Sequence, residues 1–297
     1  MASNPILIRY ERDASVHRSR VEGARDGPGS TTAAVWSFVQ ANLSRYSDAV
    51  SVYDEWRAAS LDEKANFFEF VIEEVIKSTC GPRDIAVDAG ANYGAHTSTM
   101  LSAGAHTHAF EPNPELAHTL ESWGHERLTV HRVALSDHQG TARFHFAESA
   151  GCGSLRIRPH LGITLRGDSC EVAVSRLDDF AFSPKLIKAD VEGEEINFLR
   201  GAWTTLTRAR PLVLLELDRR AVGETAIDAL LEELPDIGYG AFNFLGKPFG
   251  IDDWDAWNVL LYPERTLPAA VQATLDEAGL KFFRDLRSWN PYQKLAR

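Results

Sequence analysis

Short apolar runs separated by stretches of helical periodicity fill the middle of this chain. The runs are IAVD (85–88), THAFE (107–111), LTVHRVAL (128–135), LIKAD (186–190) and PLVLLEL (211–217). Residues 96–103, 114–123, 194–206 and 224–234 read as helices between them. Strands alternating with crossover helices predict a parallel sheet covered on both faces. TARFHFA (141–147) and EVAVSR (171–176) alternate with period two, which predicts an antiparallel excursion at the sheet edge. YGAFNF and WNVLLYP predict a final antiparallel strand pair, followed by a helix over 268–278 and a polar tail.

Before residue 80 the pattern is helical. Val35, Phe38, Val39 and Leu43 recur at helical spacing, as do positions 67, 70, 71, 74 and 75, apolar apart from Glu74. Ser60 ahead of LDEK, with Glu63 three residues on, is a capping-box pattern. The first thirty residues are charged and end in the loop-like ARDGPGSTT, and CGPRD (80–84) closes the helical region. These shifts divide the chain into a helical cap (1–79), an α/β domain (80–265) and a C-terminal helix and tail (266–297). The fold class expected is α/β, doubly wound and mostly parallel, with an antiparallel C-terminal strand pair.

Composition narrows the partners. Asp and Glu outnumber Lys and Arg by 42 to 31, a formal charge of -11, so nucleic acid and anionic membrane are disfavoured. No run approaches the roughly 18 apolar residues of a membrane span. Arg9, Glu11 and Arg12 interrupt the N-terminus too early for a signal peptide. Cys80, Cys152 and Cys170 are odd in number and scattered, which fits a reducing cytoplasm rather than a disulfide or zinc framework.

The chemistry concentrates in VDAGANYGAHTSTM (87–100). A run ends in Asp88, a turn on Gly90, Asn92 and Gly94 follows, and a helix begins. A dinucleotide site would show G-x-G-x-x-G, whose glycines admit a pyrophosphate. Here Asn92 replaces the middle glycine, and Asp88 would repel a diphosphate while suiting an ammonium. S-adenosylmethionine carries an ammonium, a carboxylate and a sulfonium with no phosphate, so the turn favours it over a nicotinamide. Glu111, before Pro112, ends the second run where a carboxylate takes ribose hydroxyls. The turn Ala134–Asp137, with Ser136 and Asp137, ends the third where an adenine can be read. Each charge-assisted contact is worth about 1.5–3 kcal/mol.

With these pieces in place, the chain resembles the FkbM family of methyltransferases. The resemblance rests on VDAGANYG, FEPNP, VALSD with a following glycine, IKADVEGEEINFLRGA, LLEL, GYGAFNF and WNVLLYP, over about residues 84–263. Its most specific element is K-x-D-x-E-G-x-E with LRGA: Lys188, Asp190, Glu192, Gly193, Glu195 and residues 199–202. Ala189 departs from the Ile or Val often found there. The resemblance implies a Rossmann-like class I methyltransferase using S-adenosylmethionine, commonly on hydroxyls of natural products, sugars or glycolipids.

The switch-point rule puts LIKAD beside IAVD, and Asp190 beside the Gly90 turn near the donor methyl. Glu216 ends the next strand, about 4.8 Å away. Asp190 and Glu216 then face one polar spot, with Glu192 behind, able to hold a Mg²⁺ ion or to work with a general base without metal. His96, in the first helical turn after the glycines, is the candidate base. Glu195 suits a helix N-terminus. Tyr239, Phe242, Phe244, Phe249, Trp254 and Trp257 line an acceptor pocket or pack the sheet, and GCGSLRI (151–157) is a candidate lid. The function expected is O-methylation of a small molecule in the cytoplasm, with a homodimer through the helical cap left open. N- or C-methylation, a nicotinamide oxidoreductase and a non-catalytic binding module are the alternatives.

Overall fold

The structure, a computed structural model, describes residues 55, 56, 58–147, 153–156, 165–250 and 257–285. The expectations placed on 35–43, on Gly151, Cys152 and Ile157 of the 151–157 segment, on Trp254 and on the polar tail lie outside these residues. All described residues belong to one compact unit, Ala49–Arg297.

Helix α1 (Leu61–Thr79) starts at the capping box expected. The Ser60 amide donates to Glu63 Oε2 at 2.9 Å, and the Glu63 amide donates to Ser60 Oγ at 3.2 Å. Strand β1 (Ile85–Ala89) leads into α2 (Ala95–Ser102), β2 (His106–Phe110), α3 (Pro114–Ser122) and β3 (Leu128–His131). After β4 (Val133–Leu135), β5 (Gly140–Ala147) and β6 (Leu165–Ser175) the chain returns as β7 (Leu186–Ala189). Helices α4 (Glu195–Gly201) and α5 (Trp203–Ala209), β8 (Leu212–Glu216), α6 (Arg219–Val222) and α7 (Glu224–Glu233) follow. Strands β9 (Gly240–Asn243) and β10 (Asn258–Tyr262) and helix α8 (Ala269–Asp285) complete the order.

The main sheet has seven strands in the order β3-β2-β1-β7-β8-β10-β9. Its first five are parallel, and β10 runs antiparallel to both β8 and β9. The strand order therefore reverses between β1 and β7, in register Asp88 with Lys188 and Ala89 with Ala189. That reversal opens a crevice at the carboxyl ends of these two strands.

Four expectations change on contact with the fold. The run 128–135 is not one strand: β3 pairs with β2, and beyond Arg132 the chain leaves as β4 to pair with β6. The period-two segments thus build a separate three-stranded sheet, β4-β6-β5, with its own small core around Phe144, Val172 and Val174, rather than an edge of the main one. The helix expected over 194–206 breaks at Ala202, whose dihedrals (φ -110°, ψ 3°) leave the helical well, giving α4 and α5. The C-terminal helix runs on to Asp285 because Phe282 and Phe283 are buried.

Helices α1 and α8 pack together through rings, with Phe67 5.7 Å from Phe282 and 5.3 Å from Phe283. Both contribute to the same core as the sheet. Tyr239, Phe242, Phe244 and Phe249 are buried in that core as well, and the Tyr239 hydroxyl donates to Pro211 O at 2.8 Å. Trp257 packs edge-on against Phe68 at 4.9 Å.

At the other end of the sheet, His131 of β3 stacks on Phe110 at 4.4 Å and lies 3.0 Å from His108 Nδ1 through its Nε2. Burial, with His108 close by, pushes His131 down to about 4. The fold thus favours neutral imidazole, while the unfolded chain takes up a proton near 6.5. This part of the stability is complete above about pH 6.5 and is lost as pH falls toward 4. Thermal unfolding should show a midpoint falling by several degrees between pH 7 and 4.5. His131→Phe, which keeps a ring in the stack, should flatten that dependence; an unchanged slope would remove His131 as its source.

Candidate functional site

The crevice is built by a turn that only certain residues accept. After β1, Gly90 (φ 77°), Asn92 (φ 52°) and Gly94 (φ 85°) all take left-handed dihedrals. At Gly90 the constraint is also steric, since a Cβ there would sit 1.8 Å from the carbonyl oxygen of Asp190. The ends of β1 and β7 therefore touch backbone to backbone at this point. At Gly94 a side chain would run into Trp123 and Leu120, so this glycine packs the helix start and does not face the crevice.

Glu111 lies just beyond β2, 5% exposed. Its Oε2 accepts the Asn92 amide at 2.7 Å and its Oε1 the Asn113 amide at 2.8 Å, so the carboxylate is locked in orientation by two backbone donors. Burial nevertheless pushes it up to about 7. Asp88 is buried behind the turn, where its Oδ2 accepts from Thr97 Oγ1 at 2.6 Å. Its Oδ1 and the Oδ1 of Asn92 are buried acceptors with no hydrogen-bond donor. Unpaired buried oxygens are costly, so a cationic or hydroxyl-bearing ligand at this turn would relieve them.

In front lies a groove of about 590 Å³, open solvent at its mouth included. Gly90, Asn92, Glu111, Pro112, Asp190 and Glu192 form its polar side. Phe110, Leu116, Val133, Leu135, Phe144 and Leu155 form an apolar one; Val133, Leu135 and Phe144 come from the small sheet, and Leu155 packs against its core. The predicted turn at 134–137 is only partly here: Ala134 lines the groove, whereas Ser136 and Asp137 do not. Ser136 Oγ donates to Glu194 Oε2 at 2.9 Å, and the exposed Asp137 lies 2.7 Å from His138 Nδ1. Both were expected at the cofactor; in this structure Ser136 bonds inward to Glu194 and Asp137 sits at the surface beside His138.

Asp190 and Glu216 do converge, as the strand order required. Burial raises Glu216 well above the carboxylate range, and neighbouring Asp190 raises it further, so it keeps its proton and donates it toward Asp190. Burial opposes ionisation of Asp190 too, yet the Lys188 ammonium, 3.2 Å from Oδ2, and the Glu216 hydroxyl hold it below its usual value. Lys188, 7% exposed at its side chain, is held protonated despite burial by Asp190, Asp88 and Glu69. These donors do not suit Mg²⁺. An ammonium already supplies the positive charge, one carboxyl is protonated, and among the described residues no three His, Cys, Asp or Glu side chains gather for a metal.

His96 is buried beside this cluster, and its Nε2 lies 3.2 Å from Oε2 of Glu69 on α1. Glu195 accepts the Gly193 amide at 2.8 Å and so stabilises the loop before α4, the structural role expected of it. Lys188 stood in the motif without a role, and Glu69 was not singled out at all. A lysine inside the otherwise apolar LIKAD run was a visible signal for Lys188, whereas nothing in FEFVIEEV separates Glu69 from Glu73 or Glu74.

Lys188→Met tests the cluster. It leaves Asp88 and Asp190 without their buried cation, so urea unfolding should report a loss of about 3–5 kcal/mol. A loss under about 1 kcal/mol would show that the ammonium is dispensable.

The family model described as the methyltransferase FkbM domain matches residues 88–240. The hexuronic acid methyltransferase AglP of Haloferax volcanii is 28% identical over 193 residues, covering 63% of this chain and 77% of the relative. Among solved structures, methyltransferase FkbM from Methylobacillus flagellatus matches at 18% identity and a TM-score of 0.41. That match covers 61% of this chain but only 44% of the other. A TehB-like SAM-dependent methyltransferase from Corynebacterium glutamicum matches at 13% identity and a TM-score of 0.38, over 64% of this chain and 86% of its own. With more than half its length matched by the family model, this chain belongs to the FkbM methyltransferases.

Proposed function

We propose that this methyltransferase uses S-adenosylmethionine to methylate a hydroxyl of a small, sugar-type molecule. The observation carrying the cofactor reading is the pair of donorless buried oxygens, Asp88 Oδ1 and Asn92 Oδ1, beside a groove with Glu111 on its polar side. Asp88 and Asn92 would hold the ammonium end, Glu111 and the neighbouring Pro112 turn the ribose, and the apolar side the adenine. Such a cofactor supplies an electrophilic methyl on a positively charged sulfur. An acidic side chain, Asp88, beside the turn disfavours a pyrophosphate in the same place. The resemblance to a hexuronic acid methyltransferase supports a sugar-type acceptor.

Methyl transfer from a sulfonium is an in-line displacement, so alignment of the acceptor oxygen meets much of the barrier. The chain contributes rigidity here, through the Gly90–Asp190 backbone contact and the locked Glu111 carboxylate. Among the described residues no helix is long and apolar enough to cross a membrane. A small-molecule acceptor reached from solution is consistent with that.

Calorimetry with S-adenosylhomocysteine tests the cofactor. Binding in the micromolar range is expected, and Asp88→Ala should weaken it by one to two orders of magnitude. Tight NADH binding with none for S-adenosylhomocysteine would overturn the reading. Because Glu111 titrates near 7 and its ionised form accepts ribose hydroxyls better, affinity should rise between pH 6 and 8. Glu111→Gln should abolish that rise. Fragmentation mass spectrometry of products from neutral and uronic-acid glycosides would locate the methyl; a nitrogen- or carbon-bound methyl would overturn O-methylation.

A further inference from the structure

The polar corner behind the groove draws on more of the chain than the family motifs. Glu69 comes from α1, Asp88 from β1, His96 from α2, Lys188 and Asp190 from β7 and the residue after it, and Glu216 from β8. If a hydroxyl is methylated here, its proton must go somewhere, and most of these groups cannot take it. Lys188 is held protonated and Glu216 already carries a proton. Asp190 is ionised, paired with Lys188 and accepts from Glu216, which makes it a weak base. Asp88 is hydrogen-bonded to Thr97 and faces the cofactor turn.

His96 is different. Glu69 Oε2, 3.2 Å from Nε2, can only accept there, so in the neutral ring the hydrogen sits on Nε2 and the lone pair on Nδ1. Nδ1 is buried and has no hydrogen-bond partner. The groove reaches this corner at Asp190, whose side chain is 30% exposed, and the Glu69 side chain is 31% exposed, while His96 itself is buried and does not line the groove. Although burial opposes it, His96 holds Glu69 below the usual carboxylate value, which keeps the negative charge facing the ring.

We propose that His96 Nδ1 receives the acceptor's hydroxyl proton, and that Glu69 of α1 is the positioning residue that presents this nitrogen. The inference rests on the methyl-transfer reading above. In the step, the bond from sulfur to the methyl carbon breaks and its electron pair stays on sulfur. A bond from the acceptor oxygen to that carbon forms, and the hydroxyl proton moves to Nδ1. One positive charge leaves the sulfonium as one arises on the imidazolium, where the Glu69 carboxylate stabilises it. Helix α1 is thereby part of the reaction centre.

Nitrogen-15 NMR of histidine-labelled full-length protein at pH 8 tests the pair without any acceptor. The His96 signals should show hydrogen on Nε2 and none on Nδ1, and Glu69→Ala should give a mixture of tautomers. With the acceptor identified by product analysis, Glu69→Ala should lower kcat at least tenfold while leaving KM and S-adenosylhomocysteine affinity within about twofold. Glu69→Asp should recover part of the rate, and His96→Gln should lose it more fully than either. An Nδ1–H tautomer in the wild-type protein, or a tautomer unmoved by Glu69→Ala, overturns the assignment even if S-adenosylhomocysteine binds. Absence of both S-adenosylhomocysteine binding and turnover overturns the methyl-transfer reading itself.

Discussion

A single buried ammonium organises the centre of this protein. Lys188 lies in the central parallel strand, beside Asp88 across the ladder and two residues from Asp190, with Glu69 facing it from α1. Without it, three carboxylates would crowd a low-dielectric corner, and their repulsion would push strand ends and helix apart. With it, negative charge is gathered at the switch point of the sheet and still exceeds the positive charge there. That surplus makes the corner receptive to a cationic ligand, and it explains why Glu216, the last carboxyl in line, stays neutral.

The glycines of the motifs work by contact rather than chemistry. Gly90 lets β1 meet the Asp190 carbonyl, and Gly201 does the equivalent on the far side, where a Cβ would lie 1.9 Å from the Ser136 carbonyl. Helix α4 thus rests directly on the loop after β4. The loop before it is tied down by Glu195, and Glu194 gathers Ser136, Asn197 and Arg156. The run 190–202 is therefore mostly a device for holding the groove's floor and far wall at fixed separation, with Asp190 as its chemical member.

Much of this was legible in the residues because periodicity reports burial. The strand runs, the placing of LIKAD beside IAVD and the meeting of Asp190 with Glu216 followed from the apolar runs and the switch-point rule. The capping box at Ser60 was readable because both partners lie within four residues. What escaped depends on distant partners. Arg132 marks the departure of β4 from the main sheet, but nothing local says that β6 waits to pair with it. That Ser136 bonds to Glu194, 58 residues further along the chain, could not be read from the turn itself. Glu69 was hidden among several similar acids on one helix, and only the packing of α1 against α2 singles it out.

The aromatic clasp between α1 and α8 bears on what counts as the minimal unit of this enzyme. The stretch matched by the family model begins inside β1 at residue 88 and stops at Gly240, the first residue of β9. A fragment cut to those limits would lack β10 and all but the first residue of β9, and would strip away Phe67, Phe70, Phe282 and Phe283. It would leave an unpaired hydrogen-bonding edge and a bare apolar layer, the two features that drive polypeptides to self-associate. Recognisable homology and autonomous foldability thus have different borders in this molecule, and the wider one belongs to the fold.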